Sequence, residues 1–118
     1  MTQTVTLYHN NRCSKSRAAL ALLKVRGVKT QVVNYLDTPP AIDELRDIFS
    51  KLNLDSVRAM MRVKDDLYRE LKLADDGLDN EALLQAIGAH PQLLERPIAV
   101  IGNKAAIGRP LENIEVLL

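Results

Sequence analysis

The chain has 118 residues, a usual length for one domain and enough to bury about two-thirds of its unfolded surface without staples. Apolar residues make up 47% and charged residues 26%, and the net charge is +1, so the whole-molecule field argues for neither nucleic acid nor an anionic membrane as a partner. No window approaches about 18 uninterrupted apolar residues, Met1-Thr2-Gln3-Thr4 offers no basic leader, and one cysteine cannot form an internal disulfide. The expectation is a cytoplasmic chain with neither a membrane span nor a signal peptide.

Val5 to Tyr8 reads as a short buried strand. Tyr8-His9-Asn10-Asn11-Arg12-Cys13-Ser14-Lys15-Ser16-Arg17 follows it and runs into a helix that begins near Ser14 or Lys15 and continues to Val25, with Gly27 as its C′ residue. A cysteine at that junction meets unpaired backbone N–H groups and the positive end of the helix dipole. Arg12, Lys15 and Arg17 lie within four residues of it, and His9 lies four before. Each of these favours thiolate, and such settings bring a cysteine from about 8.5 to roughly 3.5–7.5. Free cysteine also packs as a small hydrophobe, but the polar neighbours on both sides are a poor core context. Cys13 therefore reads as a nucleophile.

Gln31 to Leu36 reads as the second strand, completing a βαβ unit whose two strands run parallel. After Thr38-Pro39-Pro40 come four helical pieces. Ile42, Leu45, Ile48, Phe49 and Leu52 keep helical spacing, starting at Ala41 without a capping side chain or, alternatively, from Thr38. Asp55-Ser56 caps a short helix through Met61, residues 66–73 carry Leu67 and Leu71, and Asp79 caps a helix whose Leu83, Leu84 and Ile87 form a stripe ending before His90-Pro91. Arg96-Pro97 introduces the strand Ile98 to Ile101. Gly102-Asn103 signals a type II′ hairpin with a return strand from Ala105 to Ile107. Gly108-Arg109-Pro110 then leads to a last helix, with Pro110 near N1 and Ile114, Leu117 and Leu118 as its apolar contacts. The order is β-α-β, a helical insertion over about 39–95, then β-β-α. That is a thioredoxin-like arrangement: one α/β domain over 1–118 with a mixed four-stranded sheet. In it the cysteine starts helix one beside a proline that is commonly cis, here Pro97.

The absence of a second cysteine constrains the chemistry. Any redox partner thiol must come from another molecule, and a C-x-x-C zinc site is excluded because Ser16 stands at the second position. A C-x5-R phosphatase loop is disfavoured because Ala19 stands where its arginine would be. Arg58 and Arg62 are four apart on one helical face, where they are either a solvated pair or anion ligands. Arg96 and Arg109 each precede a proline at an element boundary, and guanidinium forks match tetrahedral oxyanions. Convergence of Arg62, Arg96 and Arg109 on Cys13 is the resulting hypothesis. His9 either polarises the thiolate or merely ends a strand. Tyr8, Tyr35 and Tyr68 read as packing residues, and Lys15 and Arg17 as outward-facing.

The segments Tyr8-His9-Asn10, Cys13-Ser14-Lys15-Ser16-Arg17, Tyr35-Leu36, Pro39-Pro40, Asp43-Glu44-Leu45 and Val57 to Arg62 closely resemble the glutaredoxin-dependent arsenate reductase family, including its small housekeeping members. His90-Pro91, Arg96-Pro97-Ile98 and Gly108-Arg109-Pro110 continue the resemblance over essentially the whole chain. It implies a thioredoxin-like fold with no bound cofactor, Cys13 as nucleophile, Arg62, Arg96 and Arg109 as oxyanion ligands, and His9 as an aid to thiol ionisation. It also implies arsenate as substrate, glutathione as co-substrate and glutaredoxin as protein partner. Two features depart from the family pattern. Asn11 stands where proline usually follows His-Asn, restoring a backbone N–H, and the C-terminal extension of plasmid-type enzymes is missing after Leu118. The rival readings are an Spx-type regulator that binds RNA polymerase, whose C-x-x-C switch Ser16 would break, and a monothiol glutaredoxin-like oxidoreductase. The latter would need Cys13 but not all three arginines.

Overall fold

The computed structural model describes residues 4–118; of the N-terminal stretch read for a leader, Met1 to Gln3 lie outside the described residues. The chain divides into two units, one built from the residues up to Thr38 together with Arg96–Leu118, the other from Pro39–Glu95. Among the described residues no helix is long and apolar enough to cross a membrane.

The first unit is a four-stranded mixed sheet with two helices. β1 (Val5–His9) pairs in parallel with β2 (Thr30–Asn34) from Val5↔Thr30 to His9↔Asn34, and the intervening α1 (Ser14–Val25) makes the crossover. β3 (Ile98–Ile101) runs antiparallel to β1, and β4 (Lys104–Ile107) antiparallel to β3, giving the order β2-β1-β3-β4. Alternation along β1 sends Val5 and Leu7 to the same face. There they pack with Ala19 and Leu23 of α1, Ala99 of β3 and Ile114 in one buried cluster, which Leu20, Leu22 and Leu117 flank. α1 ends in a left-handed residue that only glycine takes without cost, Gly27 at φ +66°, whose N–H bonds the Lys24 carbonyl. Gly102, at φ +59° in the first central position of the β3–β4 turn, fits the type II′ geometry expected there.

The second unit is helical. α2 (Ile42–Leu52) starts at Ala41 with no capping side chain, and buries Leu45 and Ile48. A 3₁₀ turn over Val57–Met60 is capped by Ser56, whose side chain accepts from the Arg58 N–H. α3 (Asp66–Glu70) is capped by Asp65 and α4 (Asn80–Ala89) by Asp79, each carboxylate accepting a first-turn N–H. α4 buries Leu83, Leu84 and Ile87, and its Glu81 pairs with Arg46 of α2. That ion pair is exposed and worth little. A second 3₁₀ turn, Pro91–Leu93, closes the unit, with Met61 bridged antiparallel to Leu94.

Several boundaries differ from the sequence reading, each for a local reason. β2 stops at Asn34 rather than Leu36, because the Asn34 carbonyl takes the N–H groups of both Asp37 and Thr38 and turns the chain. The return strand starts at Lys104, the residue paired with Ile101. The short helix after Ser56 is 3₁₀ and ends at Met60, so Arg62 lies outside it and does not share a helical face with Arg58. Pro110 is not at N1, because the last helix, α5 (Glu112–Glu115), has Leu111 as its N-cap. Leu118 stays exposed, while Ile114 is fully buried. Both Arg96–Pro97 and Arg109–Pro110 are cis; only the first was expected.

Gly108 is where the sheet meets α5. Its N–H bonds the Pro97 carbonyl, and an added Cβ would lie 2.7 Å from Ile114 Cδ1 and 2.8 Å from Pro97 Cγ. Overpacking of this kind typically costs about 1–3 kcal/mol. Gly108→Ala is therefore expected to lower the urea unfolding midpoint by that amount of stability, whereas Gly77→Ala, at an exposed turn, is expected to change it far less.

Candidate active site

Cys13 is the N-cap residue of α1, with extended backbone (φ −94°, ψ 121°), and is only partly exposed. The loop before it is tied to itself. The Cys13 N–H donates to the Asn10 carbonyl at 3.0 Å, the Arg12 N–H donates to Asn10 Oδ1 at 3.0 Å, and the Cys13 carbonyl accepts from Arg17 N–H at 3.0 Å. The thiol makes no regular cap hydrogen bond, but the open N–H groups of the first helical turn face a thiolate as donors. Burial pushes the Cys13 thiol up. Against it act the backbone N–H groups of Ser16 and Lys15, and then the charges of Arg96 and Arg109. The balance leaves the thiol below its ordinary value.

Arg109 reaches the sulfur directly, with Nη2 3.6 Å from Sγ. Its guanidinium is held in place by its own Nε, which donates to the Arg96 carbonyl at 2.8 Å. The backbone that carries it is held by Asn113, whose side-chain amide donates to the carbonyls of Ile107 (3.1 Å) and Arg109 (3.4 Å). The sheet explains this meeting of residues far apart in sequence: β1, which leads to Cys13, is flanked by β3, which Arg96-Pro97 introduces, and β4 leads out to Arg109.

The charges that act on the thiol are not the ones nearest in sequence, and Lys15 and Arg17 face outward as expected. Arg12, Lys15 and Arg17 are exposed, and Arg17 uses Nη1 to hold the Asn11 carbonyl at 2.8 Å. His9 is almost fully buried and bonds through Nδ1 to Ser16 Oγ at 2.6 Å. Ser16 Oγ also accepts the Asn10 N–H at 3.0 Å, so the serine hydroxyl proton is available to a neutral His9 Nδ1. Ser16, noted in the sequence only for not being cysteine, is thus the buried link between β1, the cysteine loop and α1. Its signal was legible in retrospect as a small polar residue at the third position of an otherwise apolar helix face, with Ala19 and Leu23. Asn113 carried no sequence signal.

Arg62 lies in the second unit, where Nη1 pairs with Asp65 Oδ2 at 3.2 Å and the backbone N–H donates to the Leu93 carbonyl. Arg58 is structural: its guanidinium donates to Tyr68 Oη and to the carbonyls of Leu73 and Asp75. Tyr8, Tyr35 and Tyr68 are all buried. No group of three or more His, Cys, Asp or Glu side chains that could hold a metal is found among the described residues.

A partly buried cysteine at a helix start, its thiol lowered and a guanidinium against its sulfur, is carried here on a protein of the thioredoxin-like class. The sequence profile of the ArsC family matches residues 8–117, and the chain belongs to that family. It is 64% identical over 114 residues to an arsenate reductase of Neisseria meningitidis, covering 97% of each chain. It is 35% identical over 114 residues to an arsenate reductase of Escherichia coli K12, covering 97% of this chain and 80% of that one. Among solved structures, an arsenate reductase from Vibrio cholerae superposes with a TM-score of 0.97 at 47% identity, over 100% of both chains.

Ser16→Ala would leave His9 Nδ1 and the Asn10 N–H without their shared partner inside the protein. Such a loss costs about 1–3 kcal/mol. The variant is expected to show that drop in urea unfolding, and a change below about 0.5 kcal/mol would mean that the serine does not hold the loop.

Proposed function

We propose that this chain reduces arsenate to arsenite in the cytoplasm, with glutathione as thiol co-substrate and glutaredoxin as the protein that resets it. The observation that carries the reading is the Arg109 guanidinium 3.6 Å from a Cys13 sulfur whose pKa is lowered, in a chain of the ArsC family.

In this reading Arg96 and Arg109, which belong to the unit that carries Cys13, bind the oxyanion, and Arg62 is a third ligand only as the family resemblance implies it. Their positive charge offsets the repulsion between an incoming anion and the thiolate. Cys13 Sγ attacks arsenic(V); a sulfur–arsenic bond forms, and one arsenic–oxygen bond breaks with the oxygen leaving as water once protonated. The thiolate of glutathione then attacks Cys13 Sγ. A disulfide forms, and the sulfur–arsenic bond breaks with its electron pair moving to arsenic, which becomes arsenic(III) and leaves as arsenite. The two thiols together are oxidised by two electrons. Glutaredoxin takes the glutathionyl group by thiol–disulfide exchange and restores the Cys13 thiol. His9 does not touch the sulfur in this scheme; it acts through Ser16 and the Asn10 N–H as a positioning residue. The external thiols are required because the sequence has one cysteine.

Arsenate-dependent NADPH oxidation, coupled through glutathione, glutaredoxin and glutathione reductase, tests the reading. Wild-type protein is expected to turn over and Cys13→Ser to be inactive. Arg96→Ala and Arg109→Ala are each expected to lose on the order of 10²–10³ in rate. Wild-type rates in both arginine variants, or arsenate-independent deglutathionylation as the only activity, would contradict it.

A further inference from the structure

β1 and β2 are adjacent parallel strands in register at His9↔Asn34, so their carboxyl ends open at the same edge of the sheet. In α/β sheets the crevice beyond the carboxyl ends of the strands is where ligands bind. A cavity of about 310 Å³ lies there, walled on one side by Asn10, Asn11 and Arg12 of the cysteine loop and on the other by Asn34, Leu36 and Asp37 of the turn after β2. Its size is at the lower end for small-molecule sites, suited to part of a peptide.

The chemistry of the lining is specific. Arg12 offers a planar cation, Asp37 an anion, and the asparagines neutral amide groups. Among the described residues neither the Arg12 nor the Asp37 side chain takes part in an ion pair or hydrogen bond, so both are free to meet a ligand. The walls are fixed: the Asn34 carbonyl holds the Asp37 N–H at 2.9 Å, and Asn10 Oδ1 holds the Arg12 N–H. An oxyanion such as arsenate would be repelled by Asp37. A group bearing a carboxylate and an ammonium on one carbon would satisfy both charges, with its neighbouring amide among the asparagines. Cys13 is next in the chain to this lining: Arg12 directly precedes it, and its N–H is bonded to the carbonyl of Asn10.

We propose that this cavity binds the γ-glutamyl head of the thiol donor, its α-carboxylate on Arg12 and its α-ammonium on Asp37, so that the donor's thiol is delivered to Cys13. This rests on the reading above that a glutathione-class thiol reduces the Cys13–arsenic adduct, and it names the subsite that selects that thiol. A cysteinyl peptide lacking the γ-glutamyl group carries its ammonium and its carboxylate on different residues, so it has no single carbon whose two charges match Arg12 and Asp37 with the sulfur left over for Cys13.

The test is binding of S-methylglutathione, which cannot react, followed in amide NMR spectra of the isotope-labelled full chain. Saturable shifts are expected at residues 10–12 and 34–37, with the apparent Kd weakened at least about tenfold in Arg12→Gln and in Asp37→Asn. S-methyl-cysteinylglycine is expected to leave those residues unshifted. Shifts elsewhere only, equal response to the two peptides, or unchanged affinity in both variants would overturn the proposal. Arsenite release in single turnovers driven by glutathione or by γ-glutamylcysteine is measured separately. If S-methylglutathione binds as stated but no thiol releases arsenite, the reductase reading fails and the subsite stands. If arsenite forms but the NMR outcome is negative, the subsite fails alone.

Discussion

A sulfur at the start of α1 is pulled in two directions. Burial favours the protonated thiol, and if nothing opposed it Cys13 would be a poor nucleophile at neutral pH. Two kinds of positive potential oppose it: fixed dipoles from the Ser16 and Lys15 N–H groups, and full charges on Arg96 and Arg109. The first kind comes at no cost in organisation, since the opening turn of any helix leaves those donors unpaired. The second has to be brought from the far end of the chain. The rest of the first unit can be understood as the scaffold that does this while keeping the sulfur partly covered.

Bringing Arg109 to Cys13 joins residues 96 apart in sequence, and the fold does so through the sheet. β3 pairs with β1, so the segment that enters β3 is set beside the loop that leaves β1; β4 pairs back on β3 and delivers the chain to Arg109. Small contacts then set the guanidinium. The Arg96 carbonyl holds its Nε, Asn113 holds the backbone on either side of Gly108, and the missing side chain at Gly108 lets Pro97 and Ile114 close on that point. On the other side, the His9–Ser16–Asn10 network fixes the loop carrying Cys13. Cys13 and Arg109 are therefore both held in place by hydrogen bonds made elsewhere in the first unit.

Much of this was legible in the residues. Strong signals were those where one physical requirement admits few residue types: Gly27 after an apolar helix, Gly102 in a two-residue turn, Asp79 before a leucine stripe, and a lone cysteine in a polar loop where strand becomes helix. The boundaries that shifted are ones decided by backbone bonds that side chains do not announce, such as the double acceptance by the Asn34 carbonyl that ends β2 early. At the site, Cys13 and the arginine–proline pairs stood out, because cations at element boundaries near a nucleophile are unusual. Linear proximity misled about charge: Arg12, Lys15 and Arg17 are near Cys13 in sequence, yet the guanidiniums that act on the sulfur are Arg96 and Arg109. Asn113 was silent, since an asparagine in a helix is compatible with any surface until its partners are known, and Ser16 showed only as a small polar residue on an otherwise apolar helix face.

The family likeness supplies the substrate class, and the electrostatics supply the reason that this scaffold can handle it. The most direct measurement of that electrostatic claim is the pH titration of Cys13 by thiolate ultraviolet absorbance, in the wild-type chain and in Arg109→Ala. The account predicts a wild-type midpoint clearly below that of cysteine in a short peptide, about 8.5, and an upward shift when the guanidinium is removed. A wild-type midpoint at or above the peptide value, or no shift in the variant, would contradict it.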